Sequence, residues 1–268
     1  MERSLIINCD DFGMCAAVDD ASVAALVEGC ATSLSLMAPA PHFREAVTLA
    51  RRHGITHVGV HLTLTSEFSA WRWGGVSPAA EVRSLLGRDR AFHKTARGFG
   101  RGARPDEVLL ECGRQVEAVL ETGLVPSHLD SHMFALHEQA SGRADLRPVV
   151  AELCEKYRLP FRAAYPEEAA YLTARGLPVV DQVDPDTYDV PAADKSRAYL
   201  RIVETLPPGV SELIVHPGLD TPELRLMDRP GRDHSGRRIQ DLAVVRSSAL
   251  RDALARHEVR LVAYEDVF

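Results

Sequence analysis

At 268 residues the chain is long enough to bury a sizeable core, and one α/β barrel domain is an ordinary use of that length. Its 46% hydrophobic and 26% charged content suits a globular protein, and the net charge of −7 argues against a nucleic-acid surface, which needs clustered Lys and Arg. The five cysteines are odd in number and lack CxxC spacing, which excludes a disulfide framework or zinc finger and predicts free thiols in the cytoplasm. No basic segment followed by an apolar signal core opens the sequence, and no apolar run approaches membrane-spanning length.

The first element is the most informative. Leu5-Ile6-Ile7 reads as a buried strand that runs through Asn8-Cys9 into Asp10-Asp11-Phe12-Gly13. Two adjacent carboxylates repel, and desolvating either is costly without a partner. A cation beside them resolves both problems, so the pair reads as one metal ligand and one general base. An Ala/Val-rich helix follows over about Ala16 to Glu28, then a strand over Thr32 to Met37 and a helix over Phe43 to His53, stopped by Gly54.

The third strand, in His57-Val58-Gly59-Val60-His61-Leu62, delivers His61 near its end. Regular patterning then lapses over about 65–104, a long insertion of the kind that covers a functional site. It holds Trp71 and Trp73, whose indoles suit stacking on sugar faces or simple packing of the loop. The basic run Arg97 to Arg104 within it alternates with Gly and Ala and reads as a solvated loop. Pro105 opens a helix with Val108, Leu109, Cys112, Val116, Val119 and Leu120 on one face.

A fourth strand carries His128-Leu129-Asp130-Ser131-His132. Read as extended chain, its alternation sends His128, Asp130 and His132 to the same side. His132 is then a residue of the substrate rim or a metal ligand, and Asp130 orients a histidine. A helix over Pro148 to Lys156 and a short strand over Phe161 to Ala164 come next. Residues 165–192 resist assignment apart from a candidate strand at Val179 to Val183. A helix over Asp194 to Thr205 leads to the strand Glu212 to His216, which ends in a Pro-Gly turn. A polar loop over 217–241, a helix over Ala243 to His257 and a strand over Arg260 to Tyr264 complete the chain. Arg238 and Asp241 read either as site residues or as an exposed helix-start ion pair. Seven or eight β/α units without repeat or linker predict one irregular (β/α) barrel of parallel strands over 1–268, whose strand ends gather Asp10, Asp11, His61, His128 and His216 at one rim.

The CDDFG, GVHLTL, HLDSH and HPG segments, in that order, together with HPGLDTPELR and the closing SALRDALARHEVRLVAYEDV, resemble the YdjC/ChbG-like carbohydrate deacetylases, with the ChbG/HpnK-type branch most similar. The resemblance implies an irregular barrel related to NodB-type polysaccharide deacetylases that removes N-acetyl groups from amino sugars with one divalent metal ion. Residue by residue, it implies Asp11, His61 and His128 as metal ligands, Asp10 as general base and His216 as general acid. His132, Trp71, Trp73, Asp130 and Arg238 are the expected substrate-side residues. Met133-Phe134-Ala135-Leu136 stands where many relatives carry further histidines, which bears on the substrate. Family resemblance implies magnesium, whereas two imidazole ligands favour zinc. The partners expected are an acetylated amino-sugar substrate and, as an open option, a second copy of the chain, with neither nucleic acid nor membrane insertion. Two other functions fit the same residues: another metal-dependent barrel enzyme (a sugar isomerase or phosphoesterase), or a carbohydrate-binding protein without activity. No glycine-rich phosphate loop favours phosphoester chemistry.

Overall fold

Among the described residues every strand runs parallel to its neighbours, so the strand ends that carry Asp and His all open on one side. The computed structural model describes residues 2–69, 71–184 and 187–268. Ala70 of the expected insertion, and Pro185 and Asp186 of the stretch that resists assignment, lie outside the described residues. The strands are β1 (Arg3–Phe12), β2 (Ser33–Leu36), β3 (His57–Leu62), β4 (Val125–Ser131), β5 (Gln182–Asp184), β6 (Gly209–Val215) and β7 (Val259–Leu261), in the order β4-β3-β2-β1-β6-β5. β7 pairs with the start of β1, at Arg3 to Leu5, and β2 with its later part, so β1 is the spine of the sheet.

Of the seven or eight strands expected, seven are present and Phe161 to Ala164 is not one of them, and among the described residues the sheet does not close. It is a half-barrel, because the segment after β4 contributes a single bridge, Leu129 to Phe161, instead of a full strand. Two helical expectations also change. Residues 217–241 are not a continuous loop: helix His234–Val245 starts inside them, and Ser248–Arg256 forms a separate helix after it. Asp233 caps the first by accepting from Gly236 N, and Ser247 caps the second by accepting from Leu250 N.

The helices form for the reasons the sequence gives. Helix Pro105–Glu121 starts on Pro105, carries Asp106 and Glu107 in its first turn, and buries Val108, Cys112, Val116 and Val119. Leu120, expected on that face, is exposed. The same helix buries Gln115, whose amide brackets Thr63 by accepting from its N–H and donating to its carbonyl, each at 2.8 Å. That clamp fixes the chain two residues beyond His61. Glu111, one turn earlier, accepts from the amides of Val76 and Ser77 and pins the insertion to the same helix.

Candidate active site

β1 ends in a conformation that a side chain rarely adopts. Asp11 has φ 71°, in the left-handed region, and Gly13 has φ 96°. A non-glycine residue held there costs on the order of 1–3 kcal/mol and needs support. It comes from Asp19, whose side-chain Oδ1 accepts from Gly13 N at 2.6 Å, and from His42 N, which donates to Gly13 O at 3.0 Å. The turn aims Asp10 and Asp11 together into a cavity of about 320 Å³ at the strand ends. His216, Arg238, His132, Glu67, Tyr188 and several aromatic side chains complete its wall.

Asp11 Oδ1 lies 2.9 Å from His132 Nδ1 and 3.3 Å from His61 Nε2, and those two nitrogens are 3.3 Å apart. All three residues are buried. Three donor atoms about 3 Å from one another form the edges that ligand bonds of about 2.0–2.2 Å produce around one ion. Each imidazole is also backed by a carboxylate on its other nitrogen: His61 Nδ1 donates to Asp130 Oδ1 at 2.7 Å, and His132 Nε2 to Glu67 Oε2 at 3.0 Å. Such outer partners fix the tautomer and orientation of metal-binding histidines. The charge balance points the same way. Burial opposes charge on both imidazoles, yet Asp130 and Asp10 push His61 up to about 10, and Glu67 and Asp11 push His132 up to about 9. Burial likewise opposes ionisation of Asp11, but Arg238 and His132 hold its carboxyl well below the usual carboxylate range. The pocket thus calls for positive charge at the point where the three donor atoms meet, and this donor set fits a divalent ion.

Of the three residues expected as ligands, Asp11 and His61 meet here together with His132, whereas His128 stands elsewhere. His128 does lie on the same side of β4 as Asp130 and His132, but four residues lower, on the order of 13 Å along a strand. There it stacks on Tyr264, with ring centroids 3.6 Å apart, and its Nε2 lies 3.2 Å from Ser35 Oγ. Gly59 makes room for the ring: a Cβ at that position would stand 2.3 Å from His128 Cε1. Met133 and Phe134, both with positive φ, turn the chain sharply after β4 and leave His132 at the level of Asp11.

Asp10 sits apart from that trio. Arg162 grips both its oxygens at 2.8 Å, and Asn8 donates to Oδ1 at 2.8 Å. Its Oδ2 faces His61 Nε2 at 3.8 Å and His216 Nε2 at 4.0 Å. Arg162 is fully enclosed and also reaches Asp130 and Glu212. His216 lies edge-on to Tyr188, with ring centroids 4.6 Å apart, and its backbone N–H donates to Asp241 at 3.0 Å. Burial drives its imidazole down to about 3, overcoming the pull of Asp11 and Asp10, so it is neutral at rest.

The remaining expected residues fall in different places. Trp73 is buried, donating from Nε1 to Thr65 O, and packs behind His132 without lining the cavity. Trp71 packs edge-on against Phe68, and it is Phe68 that reaches the cavity wall. Asp130 is enclosed beneath the cavity and serves His61. Arg238 and Asp241 are both buried and do not form an exposed pair. Arg238 binds Asp11, whereas Asp241 holds Lys195 at 2.7 Å and Tyr199. Arg162, Glu67 and Tyr188 were missed. Only Arg162 had a signal, a lone cation beside an apolar strand-like run, which must find acids if buried.

A parallel α/β sheet with its reactive groups outside the carboxyl ends of its strands is the class of protein in which binding sites form at that edge. Within that class the chain belongs to the YdjC-like family, whose model matches residues 4–256. Among its relatives, a carbohydrate deacetylase from Geobacillus stearothermophilus is 31% identical over 272 residues, covering 100% of this chain and 99% of that protein. Another from Enterococcus faecalis is 29% identical over 272 residues, covering 99% and 98%. The solved structure of an Enterococcus faecalis protein described as a cellobiose-phosphate cleavage protein superposes with a TM-score of 0.87 at 26% identity, covering 100% of this chain and 99% of that one.

Proposed function

We propose that this chain is a carbohydrate deacetylase, one domain that hydrolyses the N-acetyl group of an amino sugar with a divalent ion held by Asp11, His61 and His132. The observation that carries the reading is the meeting of those three donor atoms, two of them backed by carboxylates, beside a separate carboxylate gripped by Arg162. The relatives named carbohydrate deacetylase support the substrate class. A pure binding protein has no need of Asp10 next to Asp11, where burial makes a second acid costly.

A divalent ion bound there supplies polarisation of the acetyl carbonyl and a lowered pKa for water. The chain's own residues do the rest. Asp10, fixed by the fork of Arg162, takes the proton of the attacking water at Oδ2, the oxygen facing His216. His216, neutral at rest, collects a proton as negative charge develops and passes it to the departing amine. Arg162 balances Asp10, Asp130 and Glu212, so Asp10 keeps its orientation when the proton arrives. The cavity walls, Phe68 and Tyr188 among them, offer aromatic side chains to a sugar ring. Acetate release from N,N′-diacetylchitobiose, measured before and after chelation and after return of zinc or magnesium, tests the reading. Release that survives chelation unchanged overturns the metal, and no release from any acetylated amino sugar overturns the activity.

A further inference from the structure

Neither ring nitrogen of His216 makes a hydrogen bond among the described residues. Nδ1 is buried without a partner, and Nε2 stands 4.0 Å from Asp10 Oδ2. A working imidazole is ordinarily aimed by a second group bonded to its far nitrogen, as Asp130 aims His61. His216 has no such group, so its aim comes from its backbone and from the ring it packs on, Tyr188.

Both supports lead to one buried ion pair. Asp241, on helix His234–Val245, accepts from His216 N at 3.0 Å through Oδ2. Its Oδ1 takes Lys195 Nζ at 2.7 Å and the hydroxyl of Tyr199. Lys195 opens helix Lys195–Thr205 and also donates to Thr187 O at 3.1 Å, the carbonyl just before Tyr188. Thr187 in turn donates from Oγ1 to Ile214 O at 2.7 Å, two residues before His216. The end of β6 and the segment that carries Tyr188 are thus fastened to the same two charges. Both charged side chains are fully enclosed, and neither lines the cavity.

The pair is a poor device for stability. Burial pushes Asp241 up and Lys195 down, each toward its uncharged form, and their mutual attraction offsets this in part. Exchanging a buried ion pair for apolar residues of like volume is often neutral or stabilising. What apolar residues do not supply is an acceptor aimed at one backbone N–H. We infer that Asp241, seated by Lys195, is a positioning residue: it fixes the carboxyl end of β6 and so aims the His216 imidazole at the departing nitrogen. This rests on the deacetylase reading above, with His216 as its general acid. Misplacing a reacting group by about 1 Å costs up to about 10²-fold in rate.

The test compares two neutral replacements of the pair. Lys195→Met/Asp241→Leu removes both charges and the acceptor; Lys195→Met/Asp241→Asn removes both charges and keeps an oxygen for His216 N. Metal content, thermal melt, and kcat and KM for diacetylchitobiose are read for each, with His216 present and in a His216→Ala background. We expect both variants to melt cooperatively and to bind metal. The leucine variant should fall about 10–100-fold below the asparagine variant in kcat, with KM within about threefold. In the His216→Ala background the two should have equal kcat, because the residue they aim is gone. Equal kcat with His216 present overturns the inference, since the acceptor would then be idle. A difference that persists without His216 also overturns it, because the effect would then be structural. If neither variant melts cooperatively, amide hydrogen exchange of wild type decides. Protection of the His216 amide comparable with the rest of β6 supports the tether, and exchange as fast as in exposed loops overturns it. Absence of acetate release from wild type overturns the deacetylase reading instead, and the exchange measurement, which needs no substrate, keeps the two failures apart.

Discussion

His132 Nδ1 stands 2.9 Å from Asp11 Oδ1, although the two residues leave different strands and are separated by most of the first half of the chain. The contact depends on two left-handed turns, at Asp11 and at Met133-Phe134, each placed immediately at a strand end. The cluster is therefore made by how the strands stop, and substitutions should separate the histidines that stop at its level from those that do not.

His132→Ala should lose most of the bound divalent ion and nearly all activity, with a near-normal melt. His128→Ala should keep the ion. It removes a buried ring stacked on Tyr264, so it should lose stability by an amount comparable with other large-to-small core changes, about 2–4 kcal/mol. Elemental analysis and melting of the two purified variants decide this. Full occupancy in His132→Ala together with loss in His128→Ala would return His128 to the ligand set.

The adjacent acids should divide in the same manner. Asp10→Asn keeps a side chain of the same shape against Arg162 and should retain metal while losing about 10²–10⁴-fold in kcat, the usual worth of a general base. Asp11→Asn should lose both metal and activity. Retained metal in the Asp11 variant, with loss in the Asp10 variant, inverts the assignment.

Much of this was readable from the chain because strand ends in a parallel sheet must converge. Asp10, Asp11, His61 and His216 were picked out by apolar runs that terminate in a titratable residue, and all four reach one neighbourhood. Ala and Val richness placed the helix at Ala16–Glu28, and the apolar face after Pro105 placed the one at Pro105–Glu121 almost to the residue. Periodicity could not rank His128 against His132, since both share a face of β4 and only depth separates them. Depth depends on where β4 stops and on the room left by Gly59, neither of which a period of two records. The barrel does not close among the described residues because Phe161 to Ala164, although it has strand composition, pairs with β4 only around Leu129, through Leu129 N to Pro160 O and Arg162 N to Leu129 O. Glu67 and Tyr188 lie in irregular segments, where no periodicity marks the inward side.

His216→Ala should bind metal normally and lower kcat more than KM. Because burial holds this imidazole near 3, its own titration lies well below neutrality, and it should add no alkaline limb to the kcat/KM profile of the resting protein. The variant's defect should therefore be nearly constant from about pH 6 to 8. Substrates whose leaving amine needs little protonation should be affected least. A defect that vanishes as pH rises across that range would mean that His216 starts protonated, contrary to the neutral resting state.

Asp19 connects the turn after β1 to the pH dependence of stability. Its Oδ1 accepts from Gly13 N, while Oδ2 is buried, without a hydrogen bond, and 3.6 Å from His42 Nδ1. Burial pushes the carboxyl up to about 8; the Gly13 contact opposes this, and Asp20, Glu223 and Glu45 add to it. In the unfolded chain the same group titrates near 3.9. Below about pH 4 both states are protonated and folding incurs no penalty at this site. Between about 4 and 8 the unfolded chain is ionised and the folded one is not, so folding takes up a proton and stability declines as pH rises. Above about 8 the loss is complete and levels off. Asp19→Asn retains an acceptor for Gly13 and has no proton to exchange. The melting temperature of wild type, measured against Asp19→Asn from pH 5 to 9, should fall progressively toward pH 8 and then run parallel to it, at about 2–4 °C for each kcal/mol. A difference between the two proteins that stays constant across that range, or grows as pH falls, would show that Asp19 is ionised in the folded protein and that the turn at Gly13 is held by a carboxylate.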